Sequence, residues 1–254
     1  LVVSLVAAMS GKEAIAIGNV IGSNIANVGL IVGLTCSLFN VSIGGKGFLR
    51  DLNIMISVSI IFIIILFDGQ VQRWEGMFLF SGIIAYTVYT FFTGKKQDTD
   101  YSEELSPIGR NIGFLSIGIL GLYFGSNLFV EGAISLARSL GVTEIVIGMT
   151  IVAYGTSLPE LATSIVAALK KEGDISLGNI IGSNLFNMMG VVGPVAIISP
   201  LKANSSLLLF ELPIMVIFSL ALYPIIMKSN IVSRKYAAML LLGYISFISS
   251  LFIL

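Results

Sequence analysis

One carboxylate lies deep inside an apolar run. It is Glu160, within VAYGTSLPELATSIVAA at residues 152–168. An acid at such depth in a membrane helix is unfavourable unless it faces a cavity or a partner. Pro159 removes a backbone N–H and clashes one turn back, and Gly155 loosens the same turn. Together they predict a broken helix with carbonyls freed near Ala153. Thr156 and Ser157 place two hydroxyls within a turn of Glu160. A carboxylate, two hydroxyls and free carbonyl oxygens form an all-oxygen set suited to a hard cation. The bland alternative is a proline-kinked packing helix with a protonated glutamic acid.

A duplication argues against the bland alternative. Residues 18–33 read GNVIGSNIANVGLIVG, and residues 178–193 read GNIIGSNLFNMMGVVG. The offset is 160 residues and holds without gaps back to Leu1, which pairs with Leu161. About 15 of the 33 pairs are identical, far above chance even for apolar sequence. Ser23 and Asn27 share a helix face at i, i+4, as do Ser183 and Asn187. Each pair offers a hydroxyl and an amide to a central site. Asn19, Asn24, Asn179 and Asn184 are polar too, but their first expectation is to cap or cross-link helices. Gly18 and Gly22, like Gly178 and Gly182, have the four-residue spacing of close helix packing.

These groups must be held by membrane helices. The 254 residues are 56% hydrophobic and 11% charged, where a soluble domain carries roughly 25% charged residues. The apolar runs suit helices rather than barrel strands. They fall at about 1–9, 17–39, 52–67, 74–93, 111–137, 143–169, 175–199, 207–227 and 236–254. The absence of His excludes imidazole proton relays, Ser–His nucleophiles and His–zinc sites. Zero formal net charge suggests no nucleic-acid partner. The lone Cys36 reads as a small packing residue. No organic cofactor is expected, and the composition points away from an enzyme.

The polar stretch at 94–109 divides the chain into a first half, 1–93, and a second half, 110–254. The second half carries one and a half more segments. By the offset, about 50 residues, the distance from Arg110 to Leu161, would precede Leu1 in a parent of ten helices. Two repeats of five helices, an odd number, insert with opposite orientation. The expected fold is therefore all-α and polytopic, with inverted repeats in one membrane domain. Alternating the loops puts ten of the fourteen Lys and Arg residues on one side, among them Lys95, Lys96, Lys170 and Lys171. By the positive-inside rule the linker is cytoplasmic and the C-terminus external, in a cell membrane. Glu211 is expected at the membrane interface, and Asp68, Arg73 and Glu75 in a short external turn.

GTSLPE (155–160) followed by GNIIGSNLFN (178–187), with GNVIGSNIAN (18–27) in the other half, resembles the alpha repeats of the sodium/calcium exchanger family. The resemblance spans the chain, and FDGQVQRWEG (67–76) is similar to small prokaryotic members. It implies that Ca2+ and Na+, as transported ions, compete for one site during alternating access. Matched by motif, the second repeat would supply Glu160, Thr156, Ser157, the Ala153 carbonyl, Ser183 and Asn187, and the first would supply Ser23 and Asn27. In the family each repeat contributes a glutamate, and the first helix of each repeat slides to switch access. Only the 111–137 helix is available to do so here. This chain holds one of the two carboxylates and is expected, by itself, to exchange calcium poorly. Some relatives, including potassium-dependent ones, have Asp at the place of Asn187, so potassium-independent transport is expected of the parent. The alternatives are a Ca2+/H+ or other cation/H+ antiporter with Glu160 as proton carrier, a cation channel, a non-transporting membrane fragment, and, least favoured, an intramembrane protease.

Overall fold

The structure is a computed structural model describing residues 1–11, 13–42, 46–93, 108–141, 150, 153–203, 207–224 and 231–251. The apolar runs fold as helices because a backbone in hydrocarbon must satisfy its own N–H and C=O groups. Helix α1 (Val2–Met9) turns at Gly11, whose φ of +71° lies in the left-handed region. Helix α2 (Glu13–Ala26) then enters the core. It continues through a widened π-helical segment, Asn27–Val32, into α3 (Gly33–Leu38). The second repeat copies this plan. Helix α4 (Lys46–Ile65), α5 (Arg73–Thr93) and α6 (Ile108–Ser139) come first. After α6 come α7 (Ala153–Thr156), α8 (Leu158–Leu169) and α9 (Gly173–Leu185). A second π-helical segment, Phe186–Val191, leads into α10 (Val192–Ile198). Last come another π-helical segment, Leu207–Glu211, then α11 (Leu212–Ala221) and α12 (Arg234–Leu251).

Four helical spans among the described residues are long and apolar enough to cross a bilayer. Their burial sorts them by role. The Glu13–Leu38 span is 89% buried, whereas Arg73–Thr93 is 11% buried. A helix buried on every side is a core element, and one with an exposed apolar face meets lipid. Helix α2 and the helix that carries the second copy of its motif, α9, are thus core elements, and α5 is peripheral.

The inverted plan shows in reciprocal packing. Helix α4 of the first half lies on α9, and α11 of the second lies on α2. Strand β1 (Gln70–Val71) pairs antiparallel with β2 (Leu201–Lys202), in register Gln70 to Lys202 and Val71 to Leu201. A bridge joins Ser42 to Ile231 at another point of the fold. Residues near 42, 173 and 231 gather together, as do those near 70 and 202. Loop alternation requires these same groupings.

Local details refine the expectations. Helix α4 begins at Lys46, because Leu49 and its neighbours extend the short apolar run to a spanning length, as the sequence allows. Glu75 is buried rather than left in an open turn, because its Oε2 accepts the Gln72 N–H at 2.8 Å and closes the start of α5. Such a cap contributes about 1 kcal/mol. Glu75→Ala should lower the melting temperature in detergent by about 2–4 °C, and Glu75→Gln should restore most of it. Glu211 is buried within the protein, at the end of a π-helical segment. The 94–107 stretch and residues 142–149 lie outside the described residues.

The glycine expectation is corrected at Gly178 and Gly182. A Cβ at Gly178 or Gly182 would meet nothing within 4 Å among the described residues. Close approach occurs instead at Gly33, Gly76 and Gly193, where a Cβ would press on backbone atoms of another helix.

Candidate cation site

The break begins where α7 ends. Ser157 leaves the helix with φ −94° and ψ 0°, and Pro159 occupies the first turn of α8. There a missing N–H is harmless, because no carbonyl precedes it within that helix. The Ser157 N–H still reaches back to the Ala153 carbonyl at 3.2 Å and to that of Tyr154 at 3.0 Å. The Ala153 carbonyl is thus not free, contrary to the sequence expectation. It also accepts Thr156 Oγ1 at 3.0 Å and, from the other repeat, Ser23 Oγ at 3.5 Å.

Ser23 and Thr156 hydroxyls lie 3.2 Å apart. The two repeats therefore meet at the broken turn, through hydroxyls and one carbonyl. Hydroxyls rotate freely, so a cation entering here would turn their protons away and meet their lone pairs. Ser157 is buried at the break, but its hydroxyl makes no helix-capping bond.

Glu160 sits one turn further along α8. Ser183 on α9 donates to its Oε1 at 3.3 Å. Its Oε2 is buried and has no hydrogen-bond partner among the described residues. Leaving a buried acceptor unmade costs about 1–3 kcal/mol, and more for a charged group.

The asparagines form a ring across the repeats. Asn27 Nδ2 donates to Asn184 Oδ1 at 2.9 Å, and Asn187 Nδ2 donates to Asn24 Oδ1 at 3.0 Å. Asn24 Nδ2 faces the Asn184 carbonyl and Asn184 Nδ2 faces the Asn24 carbonyl, each at 3.5 Å. Among the described residues Asn27 Oδ1 is buried and unpartnered, like Glu160 Oε2. Asn24 and Asn184 take the cross-linking role, while Asn27 keeps an oxygen to spare. Asn19 and Asn179 hold outer turns together, donating to Ser4 at 3.1 Å and Ser164 at 3.5 Å.

Of the eight sequence-derived candidates, the structure joins Ser23, Thr156 and Ala153 in one contact group and Glu160 with Ser183 in another. Asn27 and Asn187 enter the asparagine ring. Helix α8, which carries Glu160, packs on the π-helical segment that opens at Asn27. Among the described residues no three His, Cys, Asp or Glu side chains cluster as a metal site. The set is one carboxylate among neutral oxygens. Sequence reasoning missed the π-helical segments and the methionines beside the ring. Met55 and Met215 stand at the same 160-residue offset, as do Ser59 and Ser219, so extending the alignment would have exposed them.

Inverted repeats meeting at an oxygen-lined centre define a polytopic membrane protein with a shared central site. The family model described as sodium/calcium exchanger protein matches residues 1–92 and 110–253. The chain belongs to that family. Its fold matches the solved sodium-calcium exchanger NCX_Mj with TM-score 0.83 and 32% identity, covering 99% of this chain and 82% of that one. The chain is 37% identical over 209 residues to the putative antiporter CaxA of Alkalimonas amylolytica, covering 79% of this chain and 66% of CaxA. It is 30% identical over 291 residues to the sodium/calcium exchanger MaX1 of Methanosarcina acetivorans, covering 98% of this chain and 83% of MaX1.

Proposed function

We propose that the protein is a secondary antiporter exchanging Na+ for Ca2+ by alternating access at the Glu160 site. One observation carries this reading. Among the described residues, several buried oxygens lack hydrogen-bond partners, and two of them belong to the repeated motifs near the helix break, Glu160 Oε2 on one repeat and Asn27 Oδ1 on the other. Glu160 supplies the charge that a dehydrated cation requires. Ser23, Thr156, Ser157, Ser183, Asn27 and Asn187 complete an all-oxygen shell of the kind hard cations take, and the Ala153 carbonyl joins it once the Ser23 and Thr156 hydroxyls turn to the ion. Helix α6 is the element proposed to slide. The 94–109 linker is placed in the cytoplasm and the C-terminus outside, between halves 1–93 and 110–254.

The test is 45Ca2+ uptake into proteoliposomes containing the natural protein. An outward Na+ gradient should drive uptake, and a pH gradient of equal size should not. Replacing K+ with choline should leave the rate unchanged, because residue 187 is an amide. Uptake driven by the pH gradient alone would assign the site to cation/H+ exchange instead.

A further inference from the structure

We infer that Asn24 and Asn184 are positioning residues, each fixing the amide of the asparagine ligand donated by the opposite repeat. The inference rests on the cation site proposed above. Its ground is the complete occupancy of these two amides. Asn24 Oδ1 accepts from Asn187, and its Nδ2 faces the Asn184 carbonyl and the Met215 sulfur, at 3.5 and 3.6 Å. Asn184 does the same in mirror image. Its Oδ1 accepts from Asn27, and its Nδ2 faces the Asn24 carbonyl and the Met55 sulfur, at 3.5 and 3.6 Å.

This wiring leaves no freedom to flip. A backbone carbonyl only accepts, so Asn24 must turn its nitrogen toward the Asn184 carbonyl. Its oxygen then faces Asn187, which must answer with a nitrogen. Asn187 is thereby forced to aim its own oxygen elsewhere. The same logic at Asn184 turns the oxygen of Asn27 away from the ring, and that oxygen is the buried, unpartnered one. Asn24 and Asn184 are both about 1% exposed, and each amide atom already has a partner. Neither offers the ion an unpartnered oxygen. They hold the ligands that do, and the connection is crossed: Asn24 acts on Asn187, and Asn184 acts on Asn27. At position 187 the amide supplies the donor that the Asn24 oxygen takes, and an Asp there would supply one only when protonated.

Thermal stabilisation of the purified protein by Ca2+ and, separately, by Na+ reads out cation affinity. Asn24→Leu should raise the half-saturating Ca2+ concentration about tenfold, the lower end of what lost supporting contacts do at metal sites. In an Asn187→Leu background it should produce no further change, because the ligand it orients is gone. In an Asn27→Leu background the full tenfold shift should reappear. A cross-link with a purely structural role would instead lower the melting temperature and shift affinity equally in all three backgrounds, which overturns the inference. Should Asn24→Leu fail to fold, Met215→Leu keeps the volume and removes one of the groups holding Asn24. It should give a shift of about threefold with the same background dependence. A crossed pattern without Na+-driven flux would sink the antiport reading and leave the ring standing. Flux with an additive pattern would do the reverse. Absence of stabilisation by either cation would overturn both.

Discussion

Glu160→Gln should reduce Na+-driven Ca2+ uptake by a factor on the order of 100 or more while the protein still folds. The magnitude follows from charge. Two unit charges 4 Å apart attract by about 4 kcal/mol at an effective dielectric near 20, and a divalent ion doubles that. Even a third of the doubled figure, about 2.7 kcal/mol, is a hundredfold in affinity. Glutamine keeps the shape and can still accept from Ser183, now 3.3 Å from Oε1. At the place of Oε2 it presents an N–H2 group, which repels a cation. Stability without ions should move the other way. An orphaned carboxylate oxygen is costlier to bury than an orphaned amide. The ion-free variant should therefore melt at or above the wild-type temperature, as at a site strained for function. Glu160→Asp keeps the charge but withdraws it by one methylene, and should keep part of the flux. Uptake by Glu160→Gln within a few-fold of wild type would remove Glu160 from the ion path.

The residues that would carry this result were readable from the chain because charge and helix breaks are local. A glutamate after Gly-Thr-Ser-Leu-Pro in an apolar run is too costly to bury for packing alone, and the 160-residue offset told where its partners were. The division of labour among the asparagines was not readable. Asn24 and Asn27 are the same residue type on one buried helix. Which of them faces the ion depends on what α9 presents across the interface, a tertiary fact. The i, i+4 argument also assumed an unbroken α-helix. The π-helical segment at Asn27–Val32 changes the register just past the motif. Ala153 shows the same limit from another side. Proline and glycine do break the helix, but hydroxyls from both repeats then occupy the carbonyl that the break was expected to free.

The glycines give the second large effect, and it is one of fold rather than ion binding. Helices α5 and α10 cross with their backbones almost touching. A Cβ on Gly76 would lie 2.7 Å from the Gly193 carbonyl oxygen and 3.0 Å from the Ile197 nitrogen. A Cβ on Gly193 would lie 2.8 Å from the Phe80 nitrogen and 3.0 Å from the Gly76 oxygen. These neighbours are backbone, so no side chain can rotate away, and the helices must separate. Membrane helices lack a hydrophobic force to pull them together and rely on this close packing. Overpacking of this kind costs about 1–3 kcal/mol, and here the upper end applies because two helices must move. Gly76→Ala and Gly193→Ala should each lower the melting temperature by about 6–12 °C. The double variant should cost less than the sum, since the first substitution already opens the gap the second needs. Helix α10 ends the span that carries Ser183, Asn184 and Asn187; α5 also packs along the π-helical segment, but its backbone-to-backbone contacts, at Gly193 and Ile197, come after that segment. Cation affinity of the protein that does fold should therefore stay within about twofold of wild type, as expected for sites that do not share contacts. A tenfold loss of affinity in Gly76→Ala would mean that the α5–α10 crossing sets the geometry of the ion site as well as the stability of the fold.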